Sequence, residues 1–234
     1  MKTPDQARRR VESDERRLRA SRRNVTLASA LAEFVKHPSP WMISAFLVAS
    51  VVARVWVGGW GVADLVVPVV MVAVFPIAEW LIHVFILHWR PKRLGPVTLD
   101  TLLARKHREH HQDPRDIPLI FIPWRALIPV LVAALVVGLV LFRSVERGLT
   151  FMVVLGLLGI VYEWTHYLIH TDYKPKTRLY RATWRNHRFH HYRNEHYWFT
   201  VTTSGTADRL LQTYPDPESV EKSPTAKNLH ALTD

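Results

Sequence analysis

Hydrophobic and polar positions occur along this chain in long blocks, without the short periods of a soluble helix or strand. Four apolar stretches cover about 41–60, 65–89, 117–142 and 148–170, and charged segments separate most of them. A helix of about 20 residues crosses the hydrocarbon core of a bilayer. The pattern therefore predicts an all-α, polytopic membrane protein with about four transmembrane helices. The alternative is that the middle two stretches are re-entrant hairpins.

Two kinds of residue interrupt these apolar stretches. Pro68 and Pro76 lie in the second stretch, where we expect kinks. Arg54 lies in the first stretch, and a charge at that depth is costly unless it reaches water or finds a partner. We therefore expect Arg54 to snorkel or to pair with Glu79 or Asp64.

Basic residues are concentrated in three regions, 1–36, 90–115 and 174–227, whereas the loop between the first two stretches has none. The positive-inside rule predicts that both termini and the middle loop face the cytoplasm. The net charge of +11 could also indicate a nucleic-acid partner. Basic cytoplasmic loops beside anionic lipid explain this charge better, so we expect no nucleic-acid partner. We divide the chain into a basic cytoplasmic arm (1–40), a membrane domain (41–215) and a C-terminal tail (216–234).

The chain has no cysteine, which excludes disulfides, thiolate metal sites and cysteine nucleophiles. It has 13 histidines, ten of which fall into four clusters. The clusters are His83 and His88; His107, His110 and His111; His166 and His170; and His187, His190 and His191. A pair followed by an H-x2-H-H motif occurs twice, which predicts two metal ions or one dinuclear site supplied by both halves.

The spacing within the clusters favours ligation from helices. Residues three and four apart share one face of a helix, so His166 and His170 should point the same way. His83 and His88 are five apart, or ~140° around an ideal helix. That pair requires a bulge, a frayed helix end or ligation of different metals.

All four clusters lie at the predicted cytoplasmic ends of the spans. Burying so many imidazoles without a shared ligand would cost several kcal/mol. We therefore predict that all ten bind metal, and imidazole ligands suit iron, zinc, copper or nickel. His37 and His230 lie outside the clusters, and we expect no functional role for them.

A ligating histidine usually donates its second N–H to a carboxylate or carbonyl group. Glu79 precedes His83 by four residues, and Glu163 precedes His166 by three. The predicted residues around the metal ligands are Glu79, Glu163, His196 and Asp208. Tyr162 is predicted to be an ordinary interfacial aromatic residue.

The order of the four clusters resembles that of the fatty acid hydroxylase superfamily, also called the sterol desaturase family. Within it, the chain is most similar to fatty acid 2-hydroxylases over about residues 76–215. The supporting segments are EWLIHVFILH from Glu79, HREHHQDPRD from His107, YEWTHYLIH from Tyr162, and HRFHHYRNEHYWFTVTTSGTADRLLQT from His187. Two departures concern the last motif, because Thr200 and Gln212 stand where the family usually has glycine.

The resemblance implies an integral-membrane, O2-dependent monooxygenase of lipid biosynthesis. The ten clustered histidines would hold two iron ions, although purified protein could contain zinc. The implied substrate is a fatty acyl chain, hydroxylated at C2, and O2 is the co-substrate. Electrons would come from a separate donor, such as cytochrome b5, ferredoxin or a reductase.

Two other interpretations of the histidines are open. One is a sterol or carotenoid hydroxylase or desaturase, which the cluster order does not separate from a fatty acid hydroxylase. The other is a non-enzymatic protein that carries zinc or iron through the membrane. A carrier is expected to hold its ion near the bilayer midplane. The predicted position of all ten histidines at one membrane face favours catalysis.

Overall fold

The computed structural model describes residues 25–231, so residues 1–24 of the predicted basic arm lie outside the described residues. The described chain is mostly helical. In chain order the helices are α1 (Leu27–Phe34), α2 (Pro38–Val57), α3 (Val66–Ile82), α4 (Leu102–Gln112), α5 (Ile117–Ile120), α6 (Trp124–Val140), α7 (Val145–His170), α8 (Arg178–Tyr192) and α9 (Thr206–Leu210). This architecture confirms the predicted all-α class.

Four helical segments are long and apolar enough to cross a membrane, which confirms the predicted number of spans. They are Pro38–Val57, Val62–Leu87, Ile117–Val140 and Val145–His170. The second segment combines a 3-10 turn at Val62–Leu65, helix α3, and a π-helix at His83–Leu87.

Helices α2 and α7 approach closely at two glycines of α7. A Cβ atom added at Gly156 would lie 3.0 Å from the Cβ of Leu47. One added at Gly159 would lie 3.2 Å from the Cγ2 of Ile43. Small residues let membrane helices come close enough for their backbones to pack. These two glycines therefore fix the first span against the fourth.

Arg54 is buried at the end of α2 and pairs with Asp64, not with Glu79. Its Nη2 lies 3.2 Å from Asp64 Oδ2, and its Nε donates to Thr150 Oγ1 at 3.0 Å. The guanidinium also lies 3.7 Å from the centroid of the Trp60 ring. The charge is thus compensated inside the protein, as one of the two sequence-based alternatives requires.

The third span is not one continuous helix. Helix α5 ends at Ile120 and α6 begins at Trp124, which leaves a short non-helical break. Pro123 precedes α6 and cannot continue a helix from the residues before it. Within the break, the backbone N–H of Ile122 donates to Glu163 Oε1 at 3.1 Å. Backbone outside a helix needs such a partner at membrane depth.

A short hairpin in the middle loop was not predicted. Strand β1 (Lys92–Leu94) pairs antiparallel with β2 (Val97–Leu99), with Lys92 opposite Leu99. Gly95 begins the two-residue turn with a φ of 59°. Such turns need a positive φ, which glycine adopts without steric cost. The hairpin leads from the second span into α4.

Candidate metal centre

The two H-x2-H-H motifs end helices α4 and α8. The side chain of Thr101 caps α4 by accepting from the backbone N–H of Ala104 at 3.1 Å. Thr177 caps α8 in the same way, accepting from Tyr180 at 3.2 Å. Each cap fixes where the helix begins, and the helical period then directs the histidines of its last turns to the buried face.

The structure brings the ten clustered histidines together in two groups of five, each with ligand atoms within 4.8 Å of one another. The first set is His83, His88, His107, His111 and His190. The second set is His110, His166, His170, His187 and His191. All except His88 are buried.

The two sets do not correspond to the two sequence modules, each of which is a histidine pair followed by an H-x2-H-H motif. The first module runs from His83 to His111 and the second from His166 to His191. His190 belongs to the second module but joins the first set, and His110 from the first module joins the second set. In each H-x2-H-H motif, the residues four apart share a set and the middle one crosses to the other. The two halves therefore jointly supply both sets, which the sequence left as one of two alternatives.

The π-helix resolves the unusual spacing of His83 and His88. It covers His83–Leu87, and the backbone N–H of His88 donates to the His83 carbonyl at 2.9 Å. A π-helix joins residues five apart in this way, so one turn separates the two histidines. Both side chains consequently reach the first set.

Contacts within the first set match the spacing of ligands around a shared ion. His83 Nε2 lies 3.1 Å from His107 Nε2, and His88 Nε2 lies 3.2 Å from His190 Nε2. Two nitrogens that bind one metal at about 2.1 Å, at right angles, are about 3.0 Å apart. The observed separations fit that geometry.

The second set has the same spacing and a stronger indication of ligation. His187 Nε2 lies 3.0 Å from the Nε2 atoms of both His170 and His191. One imidazole nitrogen carries either one proton or one lone pair, so it cannot satisfy two such neighbours as a hydrogen-bond partner. Both ring nitrogens of His166 are buried without a partner among the described residues. A bound metal ion would satisfy these lone pairs.

The outer nitrogens of the first set are held by backbone carbonyl groups. Three rings donate from Nδ1 to a carbonyl oxygen. These are His83 to Phe199 (2.5 Å), His190 to Tyr197 (2.8 Å) and His111 to Ala226 (3.0 Å). Donation from Nδ1 leaves the lone pair on Nε2, the atom that faces the other histidines. The tautomers are thereby set for metal binding.

Burial keeps the histidines outside the spans uncharged at neutral pH. Loss of hydration lowers the pKa of His88, His107, His190 and His191 well below the usual value for histidine. The same cause lowers the pKa of His111 to about 3. Neutral imidazole is the form that binds a metal, so these ligands need not lose a proton first.

The carboxylates of Glu79 and Asp208 act on the centre through a loop, and among the described residues neither hydrogen-bonds to the ring of a clustered histidine. Glu79 accepts from the backbone N–H of Val201 at 3.0 Å and of Thr202 at 2.8 Å. Asp208 accepts from the backbone N–H of Phe199 at 2.8 Å. The two carboxylates thus hold the loop whose Phe199 carbonyl orients His83. The sequence predicted direct contact between these residues and the histidines.

Thr200, at one of the two departures from the family motif, is fully buried and is integrated into this loop. Its hydroxyl and its backbone N–H both donate to Asp208 Oδ2, the latter at 2.9 Å. A glycine could not supply the hydroxyl contact. The substitution therefore adds a bond between the loop and the carboxylate that holds it.

In the described part of the chain, neither the Glu163 carboxylate nor the His196 ring hydrogen-bonds to a clustered histidine. Glu163 Oε1 accepts from the backbone N–H of Ile122 at 3.1 Å. The His196 side chain is 68% exposed, and its Nε2 lies 3.5 Å from Glu195 Oε1. Glu163 therefore supports the break in the third span, and the His196 side chain is largely open to the surroundings.

Two contacts at the centre were missed by sequence reasoning, and both come from the C-terminal tail. Ala226 supplies the carbonyl for His111, and His230 Nε2 donates to the backbone carbonyl of His88 at 2.9 Å. His230 was expected to have no role. A backbone carbonyl can come from any residue type, so the amino-acid sequence does not indicate the acceptor at Ala226. The histidine at position 230 was the one residue in the tail that could have indicated a contact with the centre.

An apolar cavity of about 280 Å³ lies among the four spans and reaches the first set at His83. Its walls are almost entirely aliphatic and aromatic, and the polar side chains that line it are Glu79, His83 and Tyr162. His83 is the one clustered histidine that the cavity reaches in the described structure. The Tyr162 ring also packs 5.6 Å from that of His166. Tyr162 is thus a site residue, not the interfacial aromatic predicted.

Gln212 adopts a backbone conformation that favours glycine, with a φ of 59°. We expect Gln212→Gly to stabilise the protein by about 0.5–1 kcal/mol, since removing Cβ relieves the strain and chain entropy offsets part of the gain. The thermal unfolding midpoint in detergent should rise. Gln212→Ala, which keeps a Cβ, is the control and should not raise it. A lower midpoint for Gln212→Gly would contradict the assigned strain.

Comparison with known proteins agrees with this geometry. A model of the fatty acid hydroxylase family matches residues 68–213, more than half of the chain and all ten clustered histidines. No curated protein and no solved structure matches the chain. The family comprises membrane-bound, metal-dependent hydroxylases and desaturases. This chain, with its four spans and its two sets of five histidines, belongs to the fatty acid hydroxylase family.

Proposed function

We propose that this protein is a membrane-bound, non-haem di-iron monooxygenase that hydroxylates a lipid acyl chain, at C2 by resemblance to the fatty acid 2-hydroxylases. The observation that carries the proposal is the apolar cavity that reaches His83. It joins a compartment suited to a hydrocarbon chain directly to one of the two histidine sets. An apolar compartment of this kind can receive the hydrocarbon chain of a lipid, but not its polar part.

The cavity has the dimensions of an acyl-chain site. Its lining follows the second span from Phe75 to Leu87, twelve residue steps or about 18 Å along a helix, and passes His83. Its volume of about 280 Å³ is near the lower end for ligand pockets. A chain bound there would place the carbons next to its head group beside His83, which is the requirement for hydroxylation at C2.

The first set would hold one iron ion and the second set the other. Bound iron supplies the oxidising power for an unactivated C–H bond, which no side chain has. Overall, one oxygen atom of O2 enters the C–H bond and the other leaves as water, with two electrons and two protons from outside. We propose a separate electron donor, such as cytochrome b5, ferredoxin or a reductase, and a cytoplasmic location for both termini.

The protein itself contributes position and exclusion of water. The aliphatic walls of the cavity keep the hydrocarbon dry and fix its direction relative to His83. Tyr162 is the one hydroxyl-bearing side chain in that lining, and its ring packs against His166. We propose that its hydroxyl donates a hydrogen bond to the polar end of the substrate. The Phe199 carbonyl holds the His83 ring while the chain binds.

The same cavity argues against a metal carrier. A carrier needs polar groups along the path of the ion through the membrane. Here the lining at membrane depth is apolar, and polar groups occur only near the histidine sets. Catalysis on a lipid uses such a compartment, whereas ion transport does not.

Comparative lipid mass spectrometry tests the proposal in cells. The chain is expressed with a reductase partner, and a variant lacking His83 and His88 serves as the matched control. We expect acyl lipids one oxygen atom heavier only with the intact protein. Products lighter by two hydrogen atoms would indicate a desaturase, and modified sterols or carotenoids would indicate a different substrate class. Identical lipids in both samples would contradict enzymatic activity on lipids.

A further inference from the structure

Residues 219–231, the clasp segment, fold back over the first set. Val220, Ala226 and Leu229 are buried along it, with Leu229 only 1% exposed. The Ser223 N–H donates to the Arg193 carbonyl at 2.8 Å, which ties the segment to the end of α8. The segment lies beyond residue 213, where the match to the family ends.

The clasp segment touches the first set at two points. The Ala226 carbonyl accepts from His111 Nδ1 at 3.0 Å, and His230 Nε2 donates to the His88 carbonyl at 2.9 Å. Both partners belong to the first set. Among the described residues, the hydrogen bonds of the segment reach no member of the second set.

These two contacts orient the imidazole rings of His111 and His88. Because His111 donates from Nδ1, its Nε2 lone pair is free, and that atom is buried without a partner among the described residues. His88 follows the π-helix directly and is the least buried residue of the first set. Holding its backbone carbonyl fixes the point from which the ring projects.

The backbone of the segment carries strain at the same place. His230 has a φ of 68° and Ala231 a φ of 50°, a region that costs energy for residues other than glycine. Strained conformations persist only where surrounding contacts hold them. The hydrogen bond from His230 to His88 and the burial of the Leu229 side chain hold the backbone of the segment in this strained conformation.

We propose that the clasp segment completes the first set and controls metal retention there, and not at the second set. Ala226 and His230 are then positioning residues that act through His111 and His88. This inference rests on the proposed function only in taking the two sets as metal sites. It assigns a role in the centre to residues outside the region shared with the family.

Chelator competition on the purified full chain tests the proposal. Iron-loaded Leu229→Ala, which loosens the anchor of the segment, is titrated with a chelator while bound iron per chain is measured. We expect one of the two ions to leave at a chelator concentration about 10–100-fold lower than in the unaltered protein. Asn228→Ala, an exposed neighbour, is the matched control and should release both ions as the unaltered protein does.

Two further backgrounds identify which ion is lost. With His170→Ala, which disables the second set, Leu229→Ala should weaken retention of the remaining ion. With His83→Ala, which disables the first set, Leu229→Ala should have no effect on retention. Equal weakening in both backgrounds, or none in either, would overturn the proposal. Because iron content is measured, a protein that keeps both ions but oxidises no lipid would refute the proposed function alone.

Protection from trypsin provides a test that needs no variant. Lys222 and Lys227 are exposed on the clasp segment. If metal at the first set holds the segment in place, chelation should speed cleavage at these lysines by at least about 10-fold, as local opening becomes easier. Mass spectrometry of the released C-terminal fragments measures the rate. Equal rates with and without iron would contradict coupling between the segment and the metal.

Discussion

Replacing both His166 and His170 by alanine is expected to abolish lipid hydroxylation and to remove one of two bound metal ions. Both residues belong to the second set, so the ion held by the first set should remain. Loss of two of the five imidazole ligands leaves only three to hold that ion, so its retention should fall sharply. Elemental analysis of detergent-purified protein measures the metal, and lipid mass spectrometry measures the product. Full activity in this variant would refute a catalytic role for two metal ions.

The exposed His196 supplies the control, and His196→Ala should leave metal content and activity unchanged. Two single substitutions sharpen the result. His110→Ala should reduce metal at the second set, and His190→Ala should reduce it at the first, although each lies in the opposite sequence module. If each instead affected the set of its own module, the interleaved arrangement would be wrong.

Leu158→Trp is expected to lower hydroxylation of long acyl chains on the order of 100-fold while leaving the metal content unchanged. Leu158 lines the cavity, and an indole there would fill space that the substrate needs. Displacement of a substrate by 1 Å from its reactive position can already cost about 100-fold in rate. Turnover with acyl chains of different lengths measures the effect, and the longest chains should suffer most.

The neighbouring residue gives a matched control for this prediction. Leu157 is 52% exposed on the same helix and does not line the cavity. Leu157→Trp adds the same side chain one position away and should retain activity. Equal loss in both variants would indicate damage to α7 and not an obstructed substrate site.

The spans and the histidine clusters were predictable from the sequence because both depend on local patterns. Apolar length alone indicates a membrane helix, and the spacing of His166 and His170 follows from helical geometry. The π-helix was one of three explanations for the spacing of His83 and His88. The structure then selected it through the bond from His88 N–H to the His83 carbonyl.

The features that the sequence did not predict depend on contacts between distant segments. Assignment of His110 and His190 to opposite sets depends on how α4 and α8 meet, which no periodicity encodes. The carbonyl partners of the first set are backbone atoms, so any residue type can supply them. Glu79 and Glu163 were expected to bind histidines because they are close in sequence. In the fold their carboxylates face backbone N–H groups of other segments.

Isotope labelling of the purified, iron-loaded protein tests the proposed reaction most directly. The protein is supplied with an acyl lipid, a reductant and ¹⁸O2 in water of natural composition. We expect one ¹⁸O atom in the hydroxyl group of the product, with formation lost when His83 is replaced by alanine. Product without ¹⁸O, or no product from protein that holds two iron ions per chain, would contradict a di-iron lipid monooxygenase.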